Sequence, residues 1–519
     1  MRTILGPGAR ARSQVLHCSI LIAVGAALFG RASWFDFVHY DDYELLVLNY
    51  GSIASRTAIA RAFWTDSFAV LAPEAKGVFY RPLLVVVYGV EAQLGGTQPF
   101  VYHLAGIGLH LLASCLAYLW LITFGLRHLL ALGLALVFLC HPAAVPVVAW
   151  IPCQNESLLA IWSIASTLSL VAYLRRGWRP GPALSLACLA AALFTKESAV
   201  VLPGVLACVA ALERTGRPGE GRALVWSAGG AFIVLAGWAA LRHLALGASP
   251  IGLSRALSNL STLIVYLGKT LLPLELATVP HPEDSSLLPG LVALGTLALA
   301  TAGTGRRLVG VAGLGLSWYA AFLLPTLLVH PQAWGLEHRI YVPLPGMLLF
   351  AAQLRLPAGL RAPAMLGPAL VLTMALAFAF LSARRLSEFR DPIAYWESAA
   401  RHSPHSAFVA TRLAWRYYES NRGDDAIEAA TRALDLHEGN PHMYQLRGLL
   451  WARRGAFRQA EEDLRRAIAL DPEHVAAWES LAALQHKLGR DGESRSSQQR
   501  AKELRERAAR RGSGPANRE

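Results

Sequence analysis

Two adjacent carboxylates, Asp41 and Asp42, stand in the stretch WFDFVHYDDYELLVLNY directly after the first apolar run of the chain. Aromatic residues flank them on both sides, and such rings favour the level where a bilayer meets water. A carboxylate at a membrane surface can take a proton from a hydroxyl nucleophile; the plain alternative is an acidic turn in a solvated loop. Further on come residues of complementary chemistry. Arg81 precedes Pro82 in YRPLL, His141-Pro142 closes one apolar run, and Glu156 opens the next. Lys196-Glu197 interrupts LAALFTKESAVVLPG, where the two charges could simply neutralise each other. Glu337, His338 and Arg339 open EHRIYVP. Ionisable groups at membrane depth are expensive and tend to be paired or functional. A guanidinium binds phosphate oxygens through paired hydrogen bonds. Carboxylates with cations fit a phosphate-linked donor and a hydroxyl acceptor.

The elements that hold these residues are set by composition. The chain has 519 residues, 54% of them hydrophobic and 16% charged, with a mean hydropathy of +0.38. That is too apolar for an ordinary soluble protein and marks a polytopic membrane chain. The apolar runs at 13–30, 99–124, 129–149, 156–174, 183–195, 198–212, 223–241, 287–304, 308–329, 342–356 and 363–382 predict about eleven spanning helices. The stretches 82–94 and 257–272 are read as interfacial; counting both as spans is the surviving rival. With both excluded, Arg127, Arg175, Arg176, Arg179, Arg214, Arg217, Arg222, Arg306, Arg307, Arg355 and Arg361 fall on the side of the N-terminal arginines. This satisfies the positive-inside rule with a cytoplasmic N-terminus. It also explains the net charge of +13 without nucleic acid. The loop 31–98, the segment HPAAVPVVAWIPCQNE, Lys196-Glu197, the region 242–283 and HPQAWGLEHRIYVP then share the non-cytoplasmic face.

From Glu388 onward charge becomes dense and a period of 34 residues emerges, the tetratricopeptide length. Tyr444, Gly448, Gly455, Phe457, Ala460, Ala467 and Pro472 fill its pattern positions, with Ala414, Ala426 and Ala433 one period earlier and Trp478, Ala482, Gly489 and Ala501 one later. Extending the register back places Phe389, Trp396, Ala399 and Pro404 in a second-helix position. The expected fold is therefore all-α: a transmembrane helical domain over 1–386, a tetratricopeptide α-solenoid over 387–508 and a disordered tail over 509–519. The six cysteines have no CxxC spacing, so neither a disulfide framework nor a zinc site is indicated. Walker, GxGxxG, HExxH and GxSxG elements are absent from the sequence, which leaves nucleotide hydrolysis, zinc proteolysis and serine hydrolysis without support.

The ordered motifs FVHYDDYELLVLN, YRPLLVVVYGVEAQLGGTQPFVYHLAGIGLHLL, HPAAVPVVAWIPCQNESLLA, FTKESAVVLP, EHRIYVPLPG and FRDPIAYWESAARHSPHSAFVATRLAW resemble the transmembrane and tetratricopeptide-repeat O-mannosyltransferase family of the GT-C superfamily. The short repeat array is more similar to bacterial members. One departure stands out: the family's acidic-Arg-aromatic motif reads EHRIYVP, with His338 between Glu337 and Arg339. The resemblance implies inverting transfer of a sugar, mannose by family preference, from a polyprenyl-phosphate donor to a protein hydroxyl on the non-cytoplasmic face, with a bacterial inner membrane as location. Asp41 or Asp42 maps to the base, and Lys196, Glu197 and Arg339 to the surroundings of the donor phosphate. Arg81, His141, Glu156, Glu337 and His338 complete the candidate substrate-binding set, and the repeats would recruit the acceptor protein. The donor lipid is the one small-molecule partner expected; the residues leave a divalent metal requirement open. Rival readings are a non-catalytic tetratricopeptide scaffold in the membrane and a glycosyltransferase of surface polysaccharide assembly.

Overall fold

The computed structural model describes residues 7–67, 79–214, 216, 220–247, 253–274, 276–302, 310–328, 335–354 and 366–512. Among them the regular structure is helical throughout. The expectations placed on Arg217, Arg306, Arg307, Arg355, Arg361, residues 330–334 and the last seven residues lie outside the described residues. The chain divides into two compact units, Met1–Tyr395 and Trp396–Glu519.

The first unit is a multi-pass membrane domain. Six helical stretches are long and apolar enough to cross a bilayer: Ala11–Trp34, Pro99–Thr123, Ile151–Arg176, Glu220–Leu246, Val311–Leu328 and Leu366–Phe389. A seventh candidate is the pair His128–Cys140 and Pro142–Ala149, which bends by 53°. The figure of about eleven thus drops to six or seven by length and composition. The uninterrupted span expected over 129–149 is broken, because Pro142 has no N–H to continue the ladder. The run 183–195 is a 15-residue helix, Gly181–Thr195. The run 198–212 becomes a 3-10 turn and a 12-residue helix, Leu202–Glu213. The run 342–356 holds the eight-residue helix Leu344–Ala351. At 1.5 Å per residue these reach roughly 12–23 Å, short of a ~30 Å hydrocarbon core. Hydropathy alone merges them into spans; proline and polar interruptions divide them.

The helix Gln154–Arg176 gives the domain its axis. Glu156 lies in its first turn and Arg175 in its last, a rise of roughly 30 Å. Arg175 bonds both oxygens of Glu213, each at 2.5 Å, and the Thr123 carbonyl at 2.5 Å. It thereby gathers the C-terminal ends of three helices at one end of the domain. Gly177 closes the axial helix in the left-handed conformation, φ 70°, which glycine adopts without a Cβ penalty. Around the axis Trp120, Trp318, Phe138 and Tyr341 are fully buried in one apolar core.

Gly315 and Gly346 let the helices Val311–Leu323 and Leu344–Ala351 approach closely. A Cβ on Gly315 would lie 2.7 Å from the Gly346 carbonyl, and one on Gly346 would lie 2.6 Å from the Gly315 carbonyl. This close crossing seats the segment 337–341 beside the core.

In the second unit the helices Ala407–Glu419, Pro441–Arg453 and Val475–Lys487 start 34 residues apart, and so do Gly423–Leu436, Phe457–Leu470 and Asp491–Gly512. Ser406 and Asn440 occupy equivalent N-cap positions and accept from backbone N–H groups of the first turn. Gly448 is the contact point of the middle pair: a Cβ there would stand 2.9 Å from Leu464 Cγ and 3.1 Å from the Ala460 carbonyl. Ala414, Ala426, Ala433, Ala460 and Ala467 are buried at these crossings.

Candidate active site

The two aspartates take different parts in their loop. Asp42 is 1% exposed; its Oδ2 accepts from the Val38 N–H at 2.8 Å and its Oδ1 from the Tyr43 N–H at 2.9 Å. Between them His39 sits at φ 56°, a left-handed conformation unusual for a residue with a Cβ, with its ring stacked 4.2 Å from that of Tyr43. Asp42 is thus the acceptor around which the loop turns. Asp41 is partly exposed. Its Oδ1 accepts from the Trp150 indole N–H at 2.9 Å, and its Oδ2 has no bond among the described residues. The loop is pinned from a third side, where the Asp36 N–H donates to the Arg390 carbonyl at 3.0 Å and the rings of Tyr40 and Tyr395 lie 6.4 Å apart.

Burial raises the Asp41 carboxyl to about 8, with the neighbouring Asp42 charge adding to it and the Trp150 bond opposing it. Burial also raises Asp42 to about 6, against the pull of its backbone donors. A carboxylate raised in this way is a stronger base than an exposed aspartate, and its ionised, base-competent fraction grows as pH rises through about 8.

The cations come from separate elements. Arg81 ends the loop just before Pro82 starts the helix Pro82–Gly95, where a missing N–H costs nothing. Its Nε donates to Glu197 Oε2 at 2.9 Å, while Glu197 Oε1 accepts from the Tyr80 N–H at 2.8 Å. The Arg81 guanidinium also lies 4.4 Å over the Phe79 ring. Lys196 pairs with Glu156. Lys196 and Glu197 therefore do not neutralise each other: the extended backbone at Lys196 turns them apart and each finds a partner from another element. Burial lowers Lys196 below the ordinary lysine value, while the Glu156 charge works the other way.

His338 Nε2 lies 3.8 Å from Glu156 Oε1, and its ring meets the Trp150 ring edge at 5.6 Å. Burial, followed by the charges of Lys196, Arg339 and Arg81, lowers His338 well below the usual histidine value, so it is neutral there. Arg339 is the exception among the cations: its side chain has no ion pair among the described residues, and its Nε is buried without a hydrogen bond. Tyr341 anchors this segment from below, its hydroxyl donating to His110 Nδ1 at 2.7 Å while His110 Nε2 donates to the Leu139 carbonyl at 3.1 Å.

Glu156 thus joins Lys196 and His338, Trp150 links His338 to Asp41, and the Arg81–Glu197 pair follows directly in the chain from Lys196, with the Arg339 charge felt by Lys196 and His338. Two candidates stand apart from this chain of contacts. His141 is fully buried, accepts from the Ala143 N–H at 3.1 Å and donates to the Thr270 carbonyl at 3.2 Å, which spends both ring nitrogens on ending a helix. Glu337 accepts from Arg385 at 2.6 Å, a bridge between the 337–341 turn and the helix Leu366–Leu386. Arg385 and Trp150 escaped the sequence reading; Trp150 is one aromatic residue among many in an apolar segment, and only its position between two proline-broken helices, in AWIP, hinted at a role. Among the described residues no group of three or more His, Cys, Asp or Glu side chains could hold a metal ion.

No protein-family model matches the chain. The chain is similar to the protein O-mannosyl-transferase TMTC1 of Mus musculus, at 29% identity over 183 residues, covering 33% of this chain and 19% of the relative. Its similarity to TMTC1 of Homo sapiens is 27% over 221 residues, covering 38% of this chain and 25% of the relative. The matched stretch therefore spans a quarter or less of these curated relatives. Among solved structures, MamA gives a TM-score of 0.22 at 19% identity over 27% of this chain and 77% of that one, and a second MamA structure gives 0.22 at 17% over 41% and 99%.

Proposed function

We propose that this chain is a membrane glycosyltransferase that moves a sugar, mannose by similarity to TMTC1, from a polyprenyl-phosphate carrier to a protein hydroxyl. The observation that carries the reading is the half-engaged Asp41 carboxylate, which feels the Arg81 charge and is linked through Trp150 to His338, about which Lys196, Glu156 and Arg339 gather. Asp41 Oδ2 takes the acceptor hydroxyl proton as the oxygen attacks the anomeric carbon. The carbon–phosphate oxygen bond breaks on the opposite side, which inverts the configuration, and polyprenyl phosphate leaves with the bonding pair. Arg339, without a carboxylate partner among the described residues, suits the developing phosphate charge; Lys196 and Arg81, balanced by Glu156 and Glu197, add to the positive field. Between the two aspartates the geometry favours Asp41 as base, because both Asp42 oxygens are already committed to backbone donors.

The reaction face is the non-cytoplasmic side, with the N-terminus in the cytoplasm and the repeats, which would bind the acceptor protein, outside it, in a bacterial inner membrane. Arginines gathered at the far end of the axial helix support this orientation. Membranes carrying Asp41→Asn should lose at least ~10²-fold of the transfer of labelled mannose from polyprenyl phosphate to protein, the usual worth of a general base. Undiminished transfer by that variant sinks the assignment. A product on a glycan rather than a protein moves the enzyme to polysaccharide assembly.

A further inference from the structure

Trp150 sits in extended backbone, φ −107° and ψ 106°, between the short helix Val145–Ala149 and the turn Ile151–Cys153. It caps the first of these, its backbone N–H donating to the Pro146 carbonyl at 3.0 Å, and Pro152, which has no N–H, stops that helix from running on. The side chain is 5% exposed and is held on two faces. The Tyr40 ring meets it edge-on at 5.1 Å, and the His338 ring does so at 5.6 Å. The indole has one polar atom and spends it on Asp41, its N–H pointing at Oδ1 from 2.9 Å. An indole N–H is a donor only, so this bond is stronger when Asp41 is ionised than when it is protonated.

We propose that Trp150 is a positioning residue for the reaction. Its N–H fixes the Asp41 carboxylate so that Oδ2 faces the acceptor, and it stabilises the ionised form that can take the proton. The proposal rests on the reading of Asp41 as the base. The other groups that face Asp41 work in both directions. Asp42 and Glu44 from its own loop disfavour its charge and Arg81 favours it; Tyr88, Cys153 and Tyr395 stand close enough to feel it. Trp150 is the one neutral donor that bonds it directly through a side chain among the described residues, so its removal is not compensated within the loop.

Trp150→Phe keeps an aromatic ring between Tyr40 and His338 and deletes only the N–H. The experiment follows transfer from polyprenyl-phosphate mannose to an acceptor polypeptide as a function of pH, for wild type, W150F and D41N. The acid limb of kcat/KM should move to higher pH by about one unit in W150F, with the plateau rate reduced less than the rate at pH 6. A limb that stays in place overturns the proposal, as does an equal loss at every pH, which a merely structural tryptophan would give. D41N separates the two levels: if it is inactive and the W150F limb is unmoved, only the positioning role fails; if it is fully active, the base assignment fails. A second measurement needs no turnover. The melting-temperature difference between wild type and D41N, followed from pH 5 to 9, locates the Asp41 titration, and the same difference in a W150F background should be displaced upward in pH. Trp150→Tyr serves both measurements if the phenylalanine variant does not fold.

Discussion

Replacing Asp41 by Asn should stabilise the protein, and should do so only toward alkaline pH. The carboxyl rises from 3.8 in the unfolded chain to about 8 in the folded one, chiefly through burial. Between those values the folded state keeps a proton that the unfolded chain has released, so stability falls as pH rises through the window. Four units at ~1.4 kcal/mol each set a ceiling of about 5 kcal/mol near pH 8. The side chain is partly exposed, so water screens much of this, and a cost on the order of 2 kcal/mol is expected. Asn keeps the shape and the acceptor for the Trp150 N–H but has nothing to titrate. Thermal unfolding of the purified protein in lipid nanodiscs at half-unit steps from pH 5 to 8.5 measures the effect. The variant should melt several degrees above wild type at pH 8, and the gap should close toward pH 5. An Asp41→Asn protein that melts at or below wild type at pH 8 refutes the reasoning, because the burial that raises the carboxyl would then carry no cost in folding.

Asp42→Ala should lose about 1–3 kcal/mol at acid pH, where the Val38 and Tyr43 N–H groups lose their acceptor, and the loss should shrink as pH rises from 3.8 to about 6, because the buried carboxyl of the wild type then ionises at a cost to the folded state; the same melting series reads it. Arg339→Gln should weaken protection by polyprenyl-phosphate mannose in thermal-shift titrations at least ~10-fold while leaving the ligand-free melting temperature near wild type, since no described residue depends on that guanidinium. Glu337→Ala leaves the buried Arg385 with Glu388 at 3.6 Å and the Leu276 carbonyl at 2.8 Å as its remaining partners and should cost ~1–3 kcal/mol, seen as a lowered melting temperature. Gly448→Val puts carbon into a space already closed by Leu464 and Ala460 and should destabilise the repeat unit by roughly 1–3 kcal/mol; limited proteolysis of the full chain should cut first between residues 407 and 487.

The repeats are legible in the sequence because their information is local. A period of 34 with small residues at Gly448, Ala460 and Ala467 requires paired helices whatever else the chain does, and the three pairs lie at that period. The membrane domain is legible in class for the same reason: apolar runs of sufficient length must be helical where no water can satisfy the backbone. Span number is not legible, because hydropathy measures composition while continuity depends on single residues, as Pro142 shows by bending what reads as one run. At the site, residue types announce the chemistry, but partners come from distant elements. Lys196 beside Glu197 suggests a self-neutralising pair; the fold gives one to Glu156 and the other to Arg81, 40 and 116 residues away. Asp41 and Asp42 are chemically identical and adjacent, so sequence alone leaves the base undecided between them. The tertiary structure divides their roles by surrounding Asp42 with the backbone of its own loop and bringing Trp150 from 109 residues away to one oxygen of Asp41, while the other has no bond among the described residues.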